Sequence, residues 1–249
     1  MRDYKHSSVS KSGFSVDTDL QLLDLLKDQK PAHLAKYVTV VLDEMYVKEG
    51  LVFEKSSGAV IGYSDLGDIN NILQDVERQF KNPDDYQRPL AKVMLVFMVR
   101  GLFTRMKFVY AQFPAASTKG ADLFPIFRQV LFRLTRLGIC VVATTCDGAS
   151  DNRRLFSLHD RLKKMVYKTR NVYSKHDDPV FFISDPPHLI KTIRNCFERG
   201  KLWVSKCSCS YCVNNLFINS VMGVQLTGSL LWHYISAILV HSLLPQGYH

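Results

Sequence analysis

The apolar positions of the chain form short runs that polar stretches separate. Tyr37–Asp43 and Ile139–Thr145 are rich in β-branched residues and almost wholly apolar, which predicts two strands buried on both faces of a sheet. Val180–Ile183 predicts a further short strand, and Lys92–Val99 and Lys107–Phe113 predict two mostly apolar ones. The pattern therefore indicates a fold built around a sheet.

Helical spacing is clearest between two of these strands. Gly120–Leu137 repeats apolar residues at intervals of three and four, and Gly138 follows it, so the sequence predicts a helix with a glycine at its C-terminal end. Its arginines are expected at exposed positions, namely Arg128, Arg133 and Arg136. Further helices are predicted at Asp19–Leu26, at Arg153–Lys164 and after Asp185.

Two segments after the first strand predict local structure of other kinds. Leu51–Glu54 and Ala59–Tyr63 flank the turn-prone Lys55–Gly58, which predicts a hairpin. The polar stretch Asp65–Arg88 predicts a loop. Together the elements predict an α/β fold, a mixed sheet with flanking helices. We expect a lead-in segment at 1–36, the α/β core at 37–184 and a mainly helical part at 185–249.

Composition and charge narrow the class of protein. Hydrophobic residues make up 47% of the chain, as in ordinary globular domains and unlike disordered or fibrous chains. The 32 Lys and Arg residues outnumber 23 Asp and Glu, and the resulting formal charge of +9 favours an anionic partner such as nucleic acid. The N-terminus lacks the apolar run of a signal peptide, so we expect a reducing compartment.

Two acidic residues stand where open α/β sheets usually build their sites. Asp43 and Asp147 follow the two most apolar predicted strands. Carboxylates on adjacent strands repel each other, and a divalent cation relieves that repulsion while it polarises a phosphate and activates water. The alternative is that each aspartate only caps the turn or helix that follows it. The pair therefore predicts a metal-dependent phosphodiester site, with simple capping left open.

Five blocks follow one another along the chain, namely Val40–Met45, Gly58–Tyr63, Leu95–Val99, Cys146–Arg153 and Asp185–Asn195. In this order they resemble the P-element-type transposases, a family that includes relatives joined to THAP zinc fingers. The resemblance covers about Thr39–Phe197 and implies an RNase H-like catalytic core. Asp43 matches the family's first catalytic acid, and Asp147 is chosen as the second by its position and by likeness to related blocks.

The resemblance also implies what the remaining catalytic groups are. The family's third acid, a glutamate, lies beyond a GTP-binding domain inserted into the RNase H-like fold. The Asp185–Asn195 block resembles the entry to that domain, so Asp185 and Lys191 become candidate nucleotide contacts. Two alternatives stay open for Asp185: it caps the helix that begins with Pro186, or it is itself a third active-site carboxylate.

The predicted function follows from this resemblance. The chain is expected to be a fragment of a DNA transposase whose intact relatives use Mg²⁺ or Mn²⁺ to cleave and join DNA at transposon ends in the nucleus. As given, it is expected to be inactive, to bind GTP weakly if at all, and to form a homo-oligomer only as an open possibility. The alternative function is a domesticated or decayed, non-catalytic protein that binds nucleic acid or another protein.

Three further features near the C-terminus carry weaker signals. Cys207–Cys212 has a zinc-like spacing with too few ligands, so coincidence is the favoured interpretation, and His188 is expected to be a structural histidine. Leu216–Leu244 contains no Lys, Arg, Asp or Glu and is long enough to span a bilayer, but its Asn, Gln and His residues favour a buried helix pair. A reading-frame change or truncation of the gene is the third possibility there.

Overall fold

The chain is described by a computed structural model over residues 12–55, 58–81, 88–176 and 178–198. Within these residues, six strands form one mixed sheet and two more form a separate hairpin. The strands are β1 (Tyr37–Tyr46), β2 (Val52–Glu54), β3 (Ala59–Ile61), β4 (Val93–Gly101), β5 (Lys107–Ala115), β6 (Cys140–Cys146), β7 (Lys168–Arg170) and β8 (Pro179–Ser184). The helices are α1 (Val16–Lys27), α2 (Asp68–Lys81), α3 (Gly120–Arg136), α4 (Ser150–Ser157) and α5 (Pro186–Glu198).

The main sheet has the order β5-β4-β1-β6-β8-β7. On one side of β1, β4 runs antiparallel to β1 and β5 runs antiparallel to β4, and on the other side β6 and β8 run parallel to β1. The edge strand β7 is antiparallel to β8. The predicted α/β class, with a mixed sheet and flanking helices, is confirmed.

Burial explains why the central strands β1 and β6 could be predicted from the sequence. Val38, Val40 and Leu42 of β1 are buried, as are Val141 and Ala143 of β6. They pack in a core to which α3 contributes its three- and four-spaced apolar residues, and such burial supplies most of the free energy that favours folding. Buried core residues of α3 are Leu123, Ile126, Phe127, Val130, Leu131 and Leu134.

Several predicted elements differ from the structure. The hairpin after β1 exists, but β2 and β3 pair only with each other, and the hairpin within the main sheet is β4–β5. The predicted loop Asp65–Arg88 contains the helix α2, whose apolar residues face outward and so gave no core signal. The predicted helix Arg153–Lys164 is the shorter α4, and the edge strand β7 was not predicted.

The lead-in helix is anchored to the sheet and to α3. Asp19 of α1 accepts a hydrogen bond from the Tyr110 hydroxyl at 2.6 Å and pairs with Arg133 at 2.6 Å. Burial and the nearby Asp19 carboxylate raise the pKa of Tyr110, which keeps the phenol neutral. The expectation that Arg133 is exposed was wrong, because this ion pair holds it largely within the protein. Arg128 is also only partly exposed, whereas Arg136 is exposed as expected.

The chain divides into two compact units, Met1–Ser184 and Asp185–His249. The first unit contains the lead-in helix as well as both sheets. The nucleotide-binding character assigned to 185–249 stays a prediction.

A half-buried histidine sits in an aromatic cage between α3 and β8. The ring of His159 lies 4.8 Å from Phe124, 5.6 Å from Phe127 and 4.9 Å from Phe182, centroid to centroid. Its Nδ1 is 2.9 Å from the Leu155 carbonyl oxygen, while its buried Nε2 has no partner. Burial therefore lowers the pKa of His159, and the imidazole is held neutral.

Acidification is expected to destabilise the fold through His159. Because its pKa is lower when folded, the unfolded chain takes up the proton first as the pH falls below about 6.5, so stability falls from there toward the folded pKa. The free energy of unfolding should therefore drop between about pH 7.5 and pH 5.5, measured by urea titration. His159→Phe keeps a ring in the cage and should flatten this part of the profile. An unchanged slope in the variant would contradict the assignment.

Candidate active site

The first predicted acid lies on β1 beyond the part of the strand that pairs with β6. The parallel pairing ends at Val41 and Thr145, whereas the antiparallel pairing with β4 continues to Tyr46. Asp43 is thus inside a strand and exposed, and the expectation that it ends the strand was wrong. The structural reason is that β4 is longer than β6 and supports β1 for three further residues past Asp43.

The second predicted acid follows β6 directly and begins the turn into α4. Asp147 Oδ1 accepts hydrogen bonds from the Ala149 backbone N–H at 3.0 Å and from the Asn152 side chain at 2.6 Å. These contacts are those of a capping aspartate. They also fix the orientation of the carboxylate, which a metal ligand requires as well. The geometry therefore keeps both roles open for Asp147.

The sheet order brings the two predicted acids onto neighbouring strands. Asp43 lies two residues beyond Val41 and Asp147 two residues beyond Thr145, and Val41 and Thr145 are the last parallel pair. The two aspartates therefore lie at corresponding positions beyond the last parallel pair, at the same end of the two strands. The expectation that they belong to adjacent strands is confirmed, while metal binding and catalysis by them stay predictions.

Two further carboxylates, those of Glu44 and Asp151, lie near the two aspartates, and the sequence analysis did not identify them. Glu44 follows Asp43 on β1 and accepts a hydrogen bond from the Thr118 hydroxyl. Its carboxyl group is partly enclosed, although the residue as a whole is exposed. Burial raises the pKa of Glu44, and repulsion by Asp147, Asp151 and Asp43 raises it further against the opposing effect of Thr118. Asp43, Glu44, Asp147 and Asp151 are here called the acidic group, in which the three aspartates lie within electrostatic reach of Glu44.

The beginnings of α3 and α4 hold part of this acidic group in place. Asp151 in the first turn of α4 accepts a hydrogen bond from the Gly120 backbone N–H at 3.2 Å. A Cβ atom at Gly120 would stand 2.6 Å from the Asp151 carbonyl oxygen and 2.6 Å from Cβ of Arg154. The close approach of the two helices therefore requires glycine, and Thr118, two residues earlier, supplies the bond to Glu44.

The chemistry of the acidic group suits a hard divalent cation. Its charged donors are all carboxylate oxygens, the ligand type that Mg²⁺ and Mn²⁺ prefer. The side-chain amide of Asn152 donates to Asp147, and its buried Oδ1 has no hydrogen-bond partner. Among the described residues, however, no three side chains of His, Cys, Asp or Glu are arranged as a metal-binding group. Metal binding by the acidic group therefore stays a prediction.

The predicted nucleotide contacts lie at the start of α5. Asp185 precedes this helix, whose first residues are Pro186 and Pro187, and its carbonyl oxygen accepts a hydrogen bond from Leu189 N–H at 3.1 Å. The Asp185 carboxylate is 3.2 Å from Nδ1 of His188, and Lys191 is exposed on the helix. The helix is confirmed and these contacts fit the capping alternative. A nucleotide role for Asp185 and Lys191 and the third-acid role of Asp185 stay predictions.

A basic segment follows α4 and includes the edge strand β7. It is defined here as the basic edge, residues 161–175, and it contains six exposed Lys and Arg residues and no acidic residue. Exposed aromatic rings lie among them, and Arg128 stacks over the ring of Tyr173 at 5.0 Å. The sequence analysis considered only the net charge of the chain and did not identify this local concentration of exposed basic residues. The six are Arg161, Lys163, Lys164, Lys168, Arg170 and Lys175.

Two of the weaker sequence signals, Cys207–Cys212 and Leu216–Leu244, lie outside the described residues. In the part of the chain that is described, no helix has the length and apolar character needed to cross a membrane.

Comparisons with known proteins agree on one group. The sequence model of a family described as TNP-like, RNase H N-terminal domain matches residues 11–160. Human DNA transposase THAP9 is 23% identical over 168 residues, which are 66% of this chain and 17% of that protein. The Drosophila P element transposase strand transfer complex is similar in structure, with a TM-score of 0.49 and 21% identity over 71% of this chain and 32% of that chain. The chain thus spans well under half the length of these relatives.

Proposed function

Because the chain belongs to the TNP-like RNase H N-terminal domain family of P-element-type transposases, we propose that its acidic group binds a divalent metal ion for DNA transposition chemistry. The predicted resemblance to this family is confirmed by the family match over residues 11–160. The observation that carries the metal proposal is the placement of Asp43 and Asp147 on neighbouring strands, with both carboxylates in electrostatic reach of Glu44.

The residues of the acidic group have different roles in this proposal. Asp43 and Asp147 hold the ion, which when bound polarises a DNA phosphate and activates the attacking oxygen. Glu44 adds negative charge to the site and is oriented by Thr118. Cleavage and strand transfer are proposed only for a complete catalytic centre, because two carboxylates alone do not position two metal ions.

The basic edge supports a role in holding DNA. Six exposed cations along residues 161–175 suit the phosphate backbone, and the exposed ring of Tyr167 offers a face for an unpaired base. Such contacts position DNA without reading its sequence. Human DNA transposase THAP9 is by its name a DNA-acting protein, which agrees with this proposal. We further propose that the chain acts in the nucleus.

Metal binding should depend on both aspartates. In a Mn²⁺ titration followed by calorimetry, Asp43→Asn and Asp147→Asn should each weaken binding by about tenfold or more, since each removes a charged ligand. Asp24→Asn is the matched control, because Asp24 is an exposed aspartate on α1 and the charge change is identical. Thermal unfolding of each variant establishes that it folds. Equal Mn²⁺ binding by all three variants would contradict the proposal and would indicate that Asp43 and Asp147 act only as capping residues.

A further inference from the structure

The helix α2 presents an apolar stripe to solvent and packs on the protein through polar groups. Its inner side carries Asn70, a buried residue that donates hydrogen bonds to the carbonyl oxygens of Leu66 at 3.3 Å and Asp122 at 3.1 Å. On the outer side, Ile69 is 67% exposed and Phe80 86% exposed. The outer stripe consists of Ile69, Ile72, Leu73, Val76 and Phe80.

This stripe differs from ordinary exposure of single apolar residues. Scattered exposed side chains are common on soluble proteins, but a continuous apolar row on one helix marks a surface that another element covers. Leu73 and Val76 in the middle of the row are 61% and 44% exposed, so nothing among the described residues covers it. The stripe therefore requires an occupant.

The spacing of the stripe fits a second copy of the same helix. Ile69, Leu73, Val76 and Phe80 are separated by four, three and four residues, which is the seam of a two-stranded helical packing. This spacing reads the same in both directions. In an antiparallel pair, Ile69 of one copy meets Phe80 of the other, and Leu73 meets Val76, so a two-fold axis makes every contact twice.

The charges at the helix ends favour the same antiparallel arrangement. Asp68 lies in the first turn of α2, and Arg78 and Lys81 lie in the last turn, where they pair with Asp75 and Glu77 of the same helix. An antiparallel pair brings Asp68 of each copy beside Lys81 of the other and opposes the two helix dipoles, whereas a parallel pair aligns the dipoles. We propose that the α2 stripe is a self-association surface on which two copies of this chain pair antiparallel. This goes beyond the proposed metal and DNA chemistry.

The strength of this association follows from the length of the helix. With 14 residues, α2 is about 21 Å long and offers two layers of contact on each side of the axis. Such an interface lies at the small end of specific protein contacts, so a dissociation constant in the micromolar range is expected. The dimer should therefore form and dissociate with protein concentration.

Sedimentation velocity of the full 249-residue chain between about 1 and 100 µM tests the proposal. The mass should rise from monomer to dimer across this range, and Leu73→Glu should weaken association by tenfold or more. Leu20→Glu is the matched control, because Leu20 is a 56% exposed leucine on another helix, and it should associate like the unmodified chain. An unmodified chain that stays monomeric throughout, or equal association of the two variants, overturns the proposal.

A charge exchange tests the antiparallel arrangement itself. Val76→Lys alone should weaken association as Leu73→Glu does, but a mixture of the two variants should form a heterodimer, because Glu at 73 then meets Lys at 76. In a parallel pair these two positions do not meet, and the mixture stays monomeric. If the stripe is covered instead by another segment of the same chain, Leu73→Glu lowers the melting temperature of a monomer, which also overturns the proposal. Circular dichroism establishes that each variant is folded.

Discussion

The affinity of the chain for duplex DNA is expected to fall by about a thousandfold as salt rises from about 50 to about 200 mM. The basic edge supplies six exposed cations, and each phosphate they neutralise releases a counterion. With about six contacts, the logarithm of the affinity falls by about five for each tenfold rise in salt. Fluorescence anisotropy with a labelled duplex at several salt concentrations measures this slope, and unrelated duplex sequences should give the same result.

Variants on opposite edges of the sheet locate the DNA surface. Lys164→Gln together with Lys168→Gln should lower the slope by about two, because two phosphate contacts are lost. The matched control combines Arg105→Gln with Lys107→Gln, which removes the same charge beside β5 at the other edge of the sheet. Equal slopes for the two double variants would show that net charge, and not the basic edge, carries the binding. The charges on β7 would then serve only to protect an edge strand from pairing with other chains.

The central sheet could be predicted because its strands are buried on both faces. A β-branched run such as Val38–Leu42 has few other stable environments, and its end marks one boundary of the site. The helix α2 could not be predicted in the same way, because its apolar residues face outward and its inner contacts are made by Asn70 and Asn71. The rule that apolar residues face the core therefore fails at the one helix for which we propose a second copy as partner.

Only part of the candidate site could be predicted from the sequence. Asp43 and Asp147 were identified because strand ends in α/β sheets collect functional groups. Glu44 was missed because strict alternation places it on the opposite side of β1 from Asp43, and only the bond from Thr118 shows where its carboxylate lies. Asp151 was missed because it resembles any acidic residue in the first turn of a helix. These two residues depend on how α3 meets β1 and α4, which spacing in the sequence does not reveal.

The junction of α3 and α4 connects the stability of the fold to the geometry of the acidic group. Gly120 lies against the backbone of Asp151, and the Gly120 N–H bonds to the Asp151 side chain. Asp151 and Asn152 lie in the same turn of α4, and the side chain of Asn152 donates a hydrogen bond to Asp147 at 2.6 Å. Any displacement of α4 away from α3 therefore moves the contacts that orient Asp147.

Gly120→Val is expected to destabilise the chain by about 3 kcal/mol, since its Cβ would lie 2.6 Å from a backbone oxygen that cannot move without shifting α4. For a chain of this size, that corresponds to a fall in melting temperature of roughly 6–12 °C by calorimetry. Ala121→Val is the matched control, because residue 121 is exposed in the same helical turn and should lose only about 0.5 kcal/mol. At a temperature where both variants are folded, Gly120→Val should also bind Mn²⁺ more weakly, because the displaced α4 no longer orients Asp147. If both variants melt together and bind Mn²⁺ equally, the helix junction does not position the acidic group.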